Sequence, residues 1–321
     1  GGIATTKTIN GMVVRGFEFY VGGGLGAVPH KAKLFSSFLP VEELLPISQA
    51  IARVFARLGE KKNRNRARIK FLVQDLGIEK FKALVEEERK TLAFDPRWTE
   101  YIKKELDTRE EGLKGPGIIP KVTSPVFLEW LKTNVRQQKQ DGYSAVTITL
   151  PLGDISGNQL RGLADIVRQY TRETVRTTVE QNIVIRWVSQ TDLFELYEAL
   201  DSIHLGQPGA SNIVDIVACP GTDTCKLGIS SSRGLAAILK KELDEKSLQL
   251  NKAIKNLHIK ISGCFNSCGQ HHVGDMGFYG VSRKINGYAV PHFQVVLGGY
   301  WESNAESFGL PMVAIPSKNI P

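Results

Sequence analysis

One internal repeat constrains this chain more than any other feature. Residues Gly2–Gly23 align without gaps to Phe278–Gly299 at an offset of 276, and seven of the 22 aligned positions are identical. The identities include Ile9-Asn10-Gly11 with Ile285-Asn286-Gly287, Phe17 with Phe293, and Gly22-Gly23 with Gly298-Gly299. Average composition gives roughly one or two identities in such a window. Asn-Gly between β-rich runs marks a two-residue hairpin, because both central residues must take positive φ. Each copy therefore reads as strand, turn, strand and a Gly-rich end. Two complete units of this period need about 550 residues, so a chain of 321 reads as a window on a longer duplicated protein, or as one partner of a split one. It holds one full repeat plus the end of the preceding one.

Between the copies, residues 41–93 are helical in pattern, with breaks at Gly59 and Gly77. Residues 107–125, rich in Gly and Pro, read as a linker. A helix is expected over Val126–Lys139 and a strand over Ala145–Leu150. Another helix begins near Gln159 behind a capping box from Ser156. Strands Val175–Thr178 and Ile183–Trp187 and a helix over Leu193–Leu200 complete a small α/β sandwich. After a loop at 206–211, strand Ile213–Ala218 runs directly into Cys219. A helix over Ser231–Lys246 follows, and strand Leu257–Ser262 leads to Cys264. The domain boundaries drawn from this are 1–40, 41–120, 121–205 and 206–321.

The 42% hydrophobic and 23% charged content provides for packed cores and argues against disorder. No stretch approaches the roughly 20 apolar residues of a membrane span, and no leader pattern is present, so the expectation is a soluble, cytoplasmic chain. The net charge of +8 points toward anions or acidic partners. Apart from the run Lys61–Lys70 the basic residues are dispersed, and no nucleic-acid signature accompanies them.

The four cysteines are clustered: Cys219 and Cys225 are separated by five residues, Cys264 and Cys268 by three. Each pair follows an apolar strand and sits in a loop rich in turn-forming residues. Four converging thiolates with close backbone N–H groups suit an iron–sulfur cubane. Structural zinc, which prefers tighter pairs, and unligated buried thiols stay open on spacing alone.

The surrounding sequence resembles the siroheme and [4Fe-4S] nitrite/sulfite reductases. The resemblance lies in Ala218-Cys219-Pro220-Gly221-Thr222-Asp223-Thr224-Cys225 and Gly263-Cys264-Phe265-Asn266-Ser267-Cys268-Gly269-Gln270. It extends through Asn63-Arg64 with Arg68 and Lys70, Val135–Tyr143, Leu150–Asp154 and Glu180-Gln181-Asn182. It implies an α+β fold of the sulfite reductase haemoprotein type, built of pseudo-duplicated α/β sandwich units. It also implies that Cys219, Cys225, Cys264 and Cys268 hold a [4Fe-4S] cluster, with Cys268 axial to the siroheme iron. Arg68, Lys70, Gln181, Asn182 and Asn266 match cofactor-contacting positions, siroheme itself carrying eight carboxylates. His271 and His272 are given no metal and read as loop or packing residues, and Val21–Gly26 reads as a turn rather than a dinucleotide loop. The implied activity is six-electron reduction of nitrite to ammonia, with ferredoxin, an acidic partner, as donor. The alternatives are sulfite reduction by the same cofactors, a flavoprotein donor, or a cluster-binding chain without catalysis. Ser267 and Gln270 tilt the loop toward the nitrite type, whereas Phe265 departs from the Pro usual there. The cations that grip the substrate anion are expected in the first repeat, so no catalytic residue is named in this chain, and the chain alone is expected to be inactive.

Overall fold

Both Asn-Gly dipeptides form the hairpins that the repeat predicts. Strand β1 (Gly2–Ile9) pairs antiparallel with β2 (Met12–Val21), with Ile9 opposite Met12. The turn residues Asn10 and Gly11 have φ of 50° and 77°, and Asn286 and Gly287 in the second copy have 49° and 85°. The third strand, β3 (Lys33–Pro40), returns along β2. The computed structural model describes residues 1–107, 110–172, 175–246, 250–302 and 307–320; positions 108 and 109 of the expected linker lie outside them. The chain divides into two compact units, residues 1–109 and 110–321.

In the first unit the sheet β1-β2-β3 precedes four helices. These are α1 (Leu44–Leu58), α2 (Ile69–Leu76), α3 (Ile78–Thr91) and α4 (Arg97–Asp107). Ile47, Ala50, Ile51 and Val54 recur at helical spacing on α1 and are buried with Phe19, Phe35, Leu39, Phe81 and Val85, the stripe expected of a helix with one covered face. Gly59 ends α1, and Gly77 separates α2 from α3.

The second unit opens with α5 (Pro125–Asn134), β4 (Val135–Gln137), β5 (Tyr143–Ile148), α6 (Gly157–Tyr170), β6 (Val175–Thr177), β7 (Ile183–Ser189) and α7 (Leu193–Ser202). The strand order is β4-β5-β7-β6, and one face is closed by a core that includes Phe127, Trp130, Leu163, Leu193 and Leu196. The capping box is present as expected: the Ser156 hydroxyl accepts from Gln159 N, and the Gln159 side chain accepts from Ser156 N. The helix expected over Val126–Lys139 ends at Asn134. There the Asn134 amide donates to the carbonyls of Thr147 and Gln207, and Val135–Gln137 leave to pair with β5. Tertiary pairing overrides local helix preference at this point.

The remainder contains β8 (Val217–Ala218), α8 (Ser232–Lys246), α9 (Lys252–Lys255), β9 (Ile259–Ser262), β10 (Met276–Ile285), β11 (Tyr288–Leu297) and β12 (Leu310–Pro316). The sheet order is β12-β11-β10-β9-β8. The expected strand Ile213–Ala218 is reduced to its last two residues. Its first part is a turn: Asp215 N donates to Asn212 O, the Asp215 carboxylate accepts from Ser211 N, and Ile213 N donates to Lys255 O. The expected strand Leu257–Ser262 begins two residues later than predicted, at Ile259.

The repeat holds at the level of register. Gly2 opposite Phe19 recurs as Phe278 opposite Val295, and Phe17 opposite Leu39 as Phe293 opposite Ile315. Even the isolated bridge Gly24–His30 has a counterpart in Tyr300–Ser307. In the second copy β10 carries β9 in parallel on its outer side, while β1 ends its sheet. The chain has an α+β fold in which a hairpin sheet occurs twice.

Candidate metal centre

β8 and β9 run parallel and side by side, so their carboxyl ends emerge together, which is where α/β sheets commonly build their sites. Cys219 follows β8 directly, and Gly263 and Cys264 follow β9. The two loops are laced to each other. Cys219 N donates to Ile261 O, and Ile229 N and Ser230 N both donate to Gly263 O. Gly263 N donates to the Cys219 sulfur at 3.0 Å, a charge-stabilising contact once that sulfur is a thiolate. The backbones meet so closely that a Cβ on Gly263 would lie 2.5 Å from the Gly221 Cα.

Cys219 and Cys264 are buried, and Cys225 and Cys268 are exposed. Burial, and then the neighbouring thiols of Cys219, Cys264 and Cys225, push the Cys268 thiol above its ordinary pKa. The other three sulfurs are thus within electrostatic reach of Cys268. Among the described residues no three His, Cys, Asp or Glu side chains close on a single metal ion.

The loop around Cys268 also carries buried polar atoms that find no partner among the described residues. Ser267, 4% exposed, has an unpaired hydroxyl. His271 is fully buried with both ring nitrogens unpaired. Orphaned donors are costly unless something accepts from them, and the hydroxyl beside Cys268 is a donor of the kind that sulfur clusters use. Four thiols, a backbone N–H already on one sulfur, and an unused hydroxyl fit an iron–sulfur group.

Gln181 and Asn182 stand behind this centre. The Gln181 amide pairs with both backbone groups of Ala218, its Oε1 accepting from Ala218 N and its Nε2 donating to Ala218 O, each at 3.0 Å. It substitutes for a missing neighbouring strand immediately before Cys219. Asn182, 2% exposed, accepts from Leu150 N and donates to Asp215. Burial pushes the Asp215 carboxyl upward, opposed by the bonds from Ser211 N and Asn182. Asn266 is exposed between Cys264 and Cys268. Arg68 and Lys70 lie in the first unit. Lys70 is 3% exposed rather than solvated; its Nζ donates to Leu25 O at 2.8 Å and Val28 O at 2.5 Å, and Arg68 Nη1 donates to Leu25 O. The two cations hold the Gly-rich loop after β2, which is the turn its sequence suggested.

With this geometry in view, the relatives are informative. The family model described as "Nitrite and sulphite reductase 4Fe-4S domain" matches residues 2–92 and 209–316, more than half of the chain and both copies of the repeat. The chain belongs to the nitrite and sulphite reductase 4Fe-4S family. A second model, the nitrite/sulfite reductase ferredoxin-like half domain, matches residues 136–203, the β4-β5-β7-β6 sheet and its helices. Among curated relatives, "Sulfite reductase [ferredoxin] 1" of Mycolicibacterium paratuberculosis is 30% identical over 287 residues, covering 88% of this chain and 47% of the relative. The chloroplastic ferredoxin–nitrite reductase of Spinacia oleracea is 27% identical over 309 residues, 95% of this chain and 48% of the relative. The solved structure of Mycobacterium tuberculosis NirA superposes with a TM-score of 0.77 at 28% identity, covering 99% of this chain and 54% of that one. The chain therefore spans about half the length of the relatives it matches. Membership of this family brings its cofactor pair, a [4Fe-4S] cluster and siroheme.

Sequence reading passed over several residues that shape the centre: Lys260, Ser262, Asp215 and Tyr279. A charged residue inside the apolar strand leading to Cys264 was the available signal.

Proposed function

We propose that this chain is the cofactor-holding part of a reductase that delivers six electrons to a small oxyanion, with nitrite as substrate and ferredoxin as donor. The observation that carries the reading is the meeting of the two cysteine loops at the carboxyl ends of parallel β8 and β9. In it Cys219, Cys225, Cys264 and Cys268 would hold the cluster, and Cys268 would also serve as a ligand of the siroheme iron. When bound, the cofactor pair would supply one-electron chemistry for reduction of the oxyanion. The chain's own residues position and shield. Gln181 fixes Ala218, and so the departure angle of Cys219; Gly263 N supports the Cys219 sulfur; and the Ser267 hydroxyl donates beside Cys268. Gln181, Asn182 and Asn266 in the second unit, and Arg68 and Lys70 in the first, are each assigned a cofactor contact, Arg68 with guanidinium donors beyond the one it uses on Leu25. The division at residues 40, 120 and 205 separates the end of one repeat, a helical segment with linker, the half domain and the cluster domain.

The Asn266-Ser267-Cys268-Gly269-Gln270 loop favours nitrite, while relatives named as sulfite reductases are slightly more similar, at 30% identity against 27%. Sulfite is therefore the second reading. A first repeat, on the same chain or another, would lay strands beside β1 as β9 lies beside β10, and would bring the cations that grip the anion. Among the described residues no helix is long and apolar enough to cross a membrane.

The test is anaerobic reconstitution with iron, sulfide and siroheme. The proposal expects four iron atoms per chain, a broad cluster absorption, and its loss when any of the four cysteines becomes Ser. A stoichiometric zinc complex with no visible absorption defeats it. Nitrite and sulfite are then compared by the shifts they cause in the siroheme bands of the protein completed with its first repeat.

A further inference from the structure

We propose that Lys260 is a positioning residue that sets the reduction potential of the cluster, acting as a buried cation beneath the Cys268 loop. This rests on the reading that the four cysteines hold a [4Fe-4S] group.

β9 has two unlike faces. Ile259 and Ile261 point into the core with Leu235 and Ala236 of α8 and Phe278 of β10. Lys260 and Ser262 take the other face, in register with Gly277 and Tyr279 of β10. All four β9 residues are buried, so this polar face is covered too, and its cover is the loop that carries Cys268. Ser262 Oγ accepts from Gly269 N at 3.1 Å, one residue past Cys268. Lys260 Nζ donates to Gln270 Oε1 at 3.0 Å, two residues past it. Gln270 has φ of 62°, a left-handed conformation unfavourable for an ordinary residue, and the bond from Lys260 holds its side chain there. His271 next stacks on Tyr279, with ring centroids 4.5 Å apart.

Lys260 is 3% exposed. Burial lowers its pKa, while Glu180 and Asp215 act to raise it. A charge in that position is weakly screened by water. Each electron added to a cluster adds negative charge, so a fixed neighbouring cation makes reduction easier, and charge is one of the levers that set cluster potentials. Strand alternation offers no packing reason for a lysine at this position: an apolar residue would satisfy burial, and a serine would satisfy the loop.

The experiment is an anaerobic redox titration of the reconstituted full chain, followed by cluster absorption and EPR. Lys260→Met is expected to lower the midpoint potential with the four-iron spectrum retained, and Lys260→Arg to restore it toward the parent. Lys260→Gln serves as the second neutral variant where Met disturbs the strand. Gln270→Leu cuts the tie but keeps the charge, so its potential should fall less than that of Lys260→Met, while apo-chain alkylation of Cys268 quickens. An unchanged midpoint in both neutral variants overturns the proposal. So does an equal fall in Gln270→Leu, which would assign the effect to loop geometry alone. A parent chain that assembles no cluster overturns the underlying reading and this one with it, and is distinguished by its iron content.

Discussion

His271 supports a prediction whose size follows from its surroundings. The ring is fully buried, stacked on Tyr279, with its centroid 4.1 Å from that of His272 and both nitrogens unpaired. Burial first, then His272, lowers its pKa from 6.5 to about 3. The unfolded chain takes up a proton at this side chain near pH 6.5, and the folded chain does so only near pH 3. Between those values the unfolded state binds more protons, so stability is complete above about pH 6.5 and declines as pH falls toward 3. At pH 4.5 the loss is on the order of 3 kcal/mol, two pH units at about 1.4 kcal/mol each. His271→Leu removes the ionisable ring and its unpaired nitrogens, whose burial without a partner costs about 1–3 kcal/mol. The variant should be more stable at pH 7.5 by about 1–3 kcal/mol and should lack this part of the acid loss. Because the chain has two units, the reading should be local: hydrogen exchange of β9 and β10 amides in the apo chain, corrected for intrinsic rates, at pH 7.5 and 4.5. Parent and variant losing equal stability between the two pH values would refute the reasoning.

Two further outcomes follow from the same centre. A Cβ on Gly269 would lie 1.9 Å from the Ile261 carbonyl oxygen, so Gly269→Ala should expel the Cys268 loop and abolish cluster assembly, with little change in far-UV circular dichroism. An intact cluster spectrum in that variant contradicts the close approach. Gln181→Ala removes both bonds to Ala218 and should destabilise the Cys219 loop by about 1–3 kcal/mol, read as faster alkylation of Cys219 in the apo chain; a rate equal to the parent's counts against the clamp.

Features written in contiguous residues were readable in advance. Asn10-Gly11 and Asn286-Gly287 specify their turns through their own backbone preferences, Ser156 and Gln159 cap a helix three residues apart, and each cysteine pair sits in one short loop. The repeat offset further anticipated matching strand registers. Boundaries went astray where distant residues intervene. Asn134 ends α5 because Thr147 and Gln207 offer it carbonyls, and residues 211–215 turn because Asp215 accepts from Ser211 N. Gln181 was legible as an amide beside a strand, but its pairing with Ala218, 37 positions away, was not.

The sequence by itself determined the duplicated hairpins, the cap of α6 and the four thiols, because these depend on local preference and short spacing. Only the tertiary structure decided that both cysteine loops leave neighbouring parallel strands, that Lys70 is buried against a glycine-rich loop, that Lys260 reaches Gln270, and that His271 stacks on Tyr279. Those are contacts between segments far apart in the chain, and their energies come from burial and pairing that exist only once the sheet has formed.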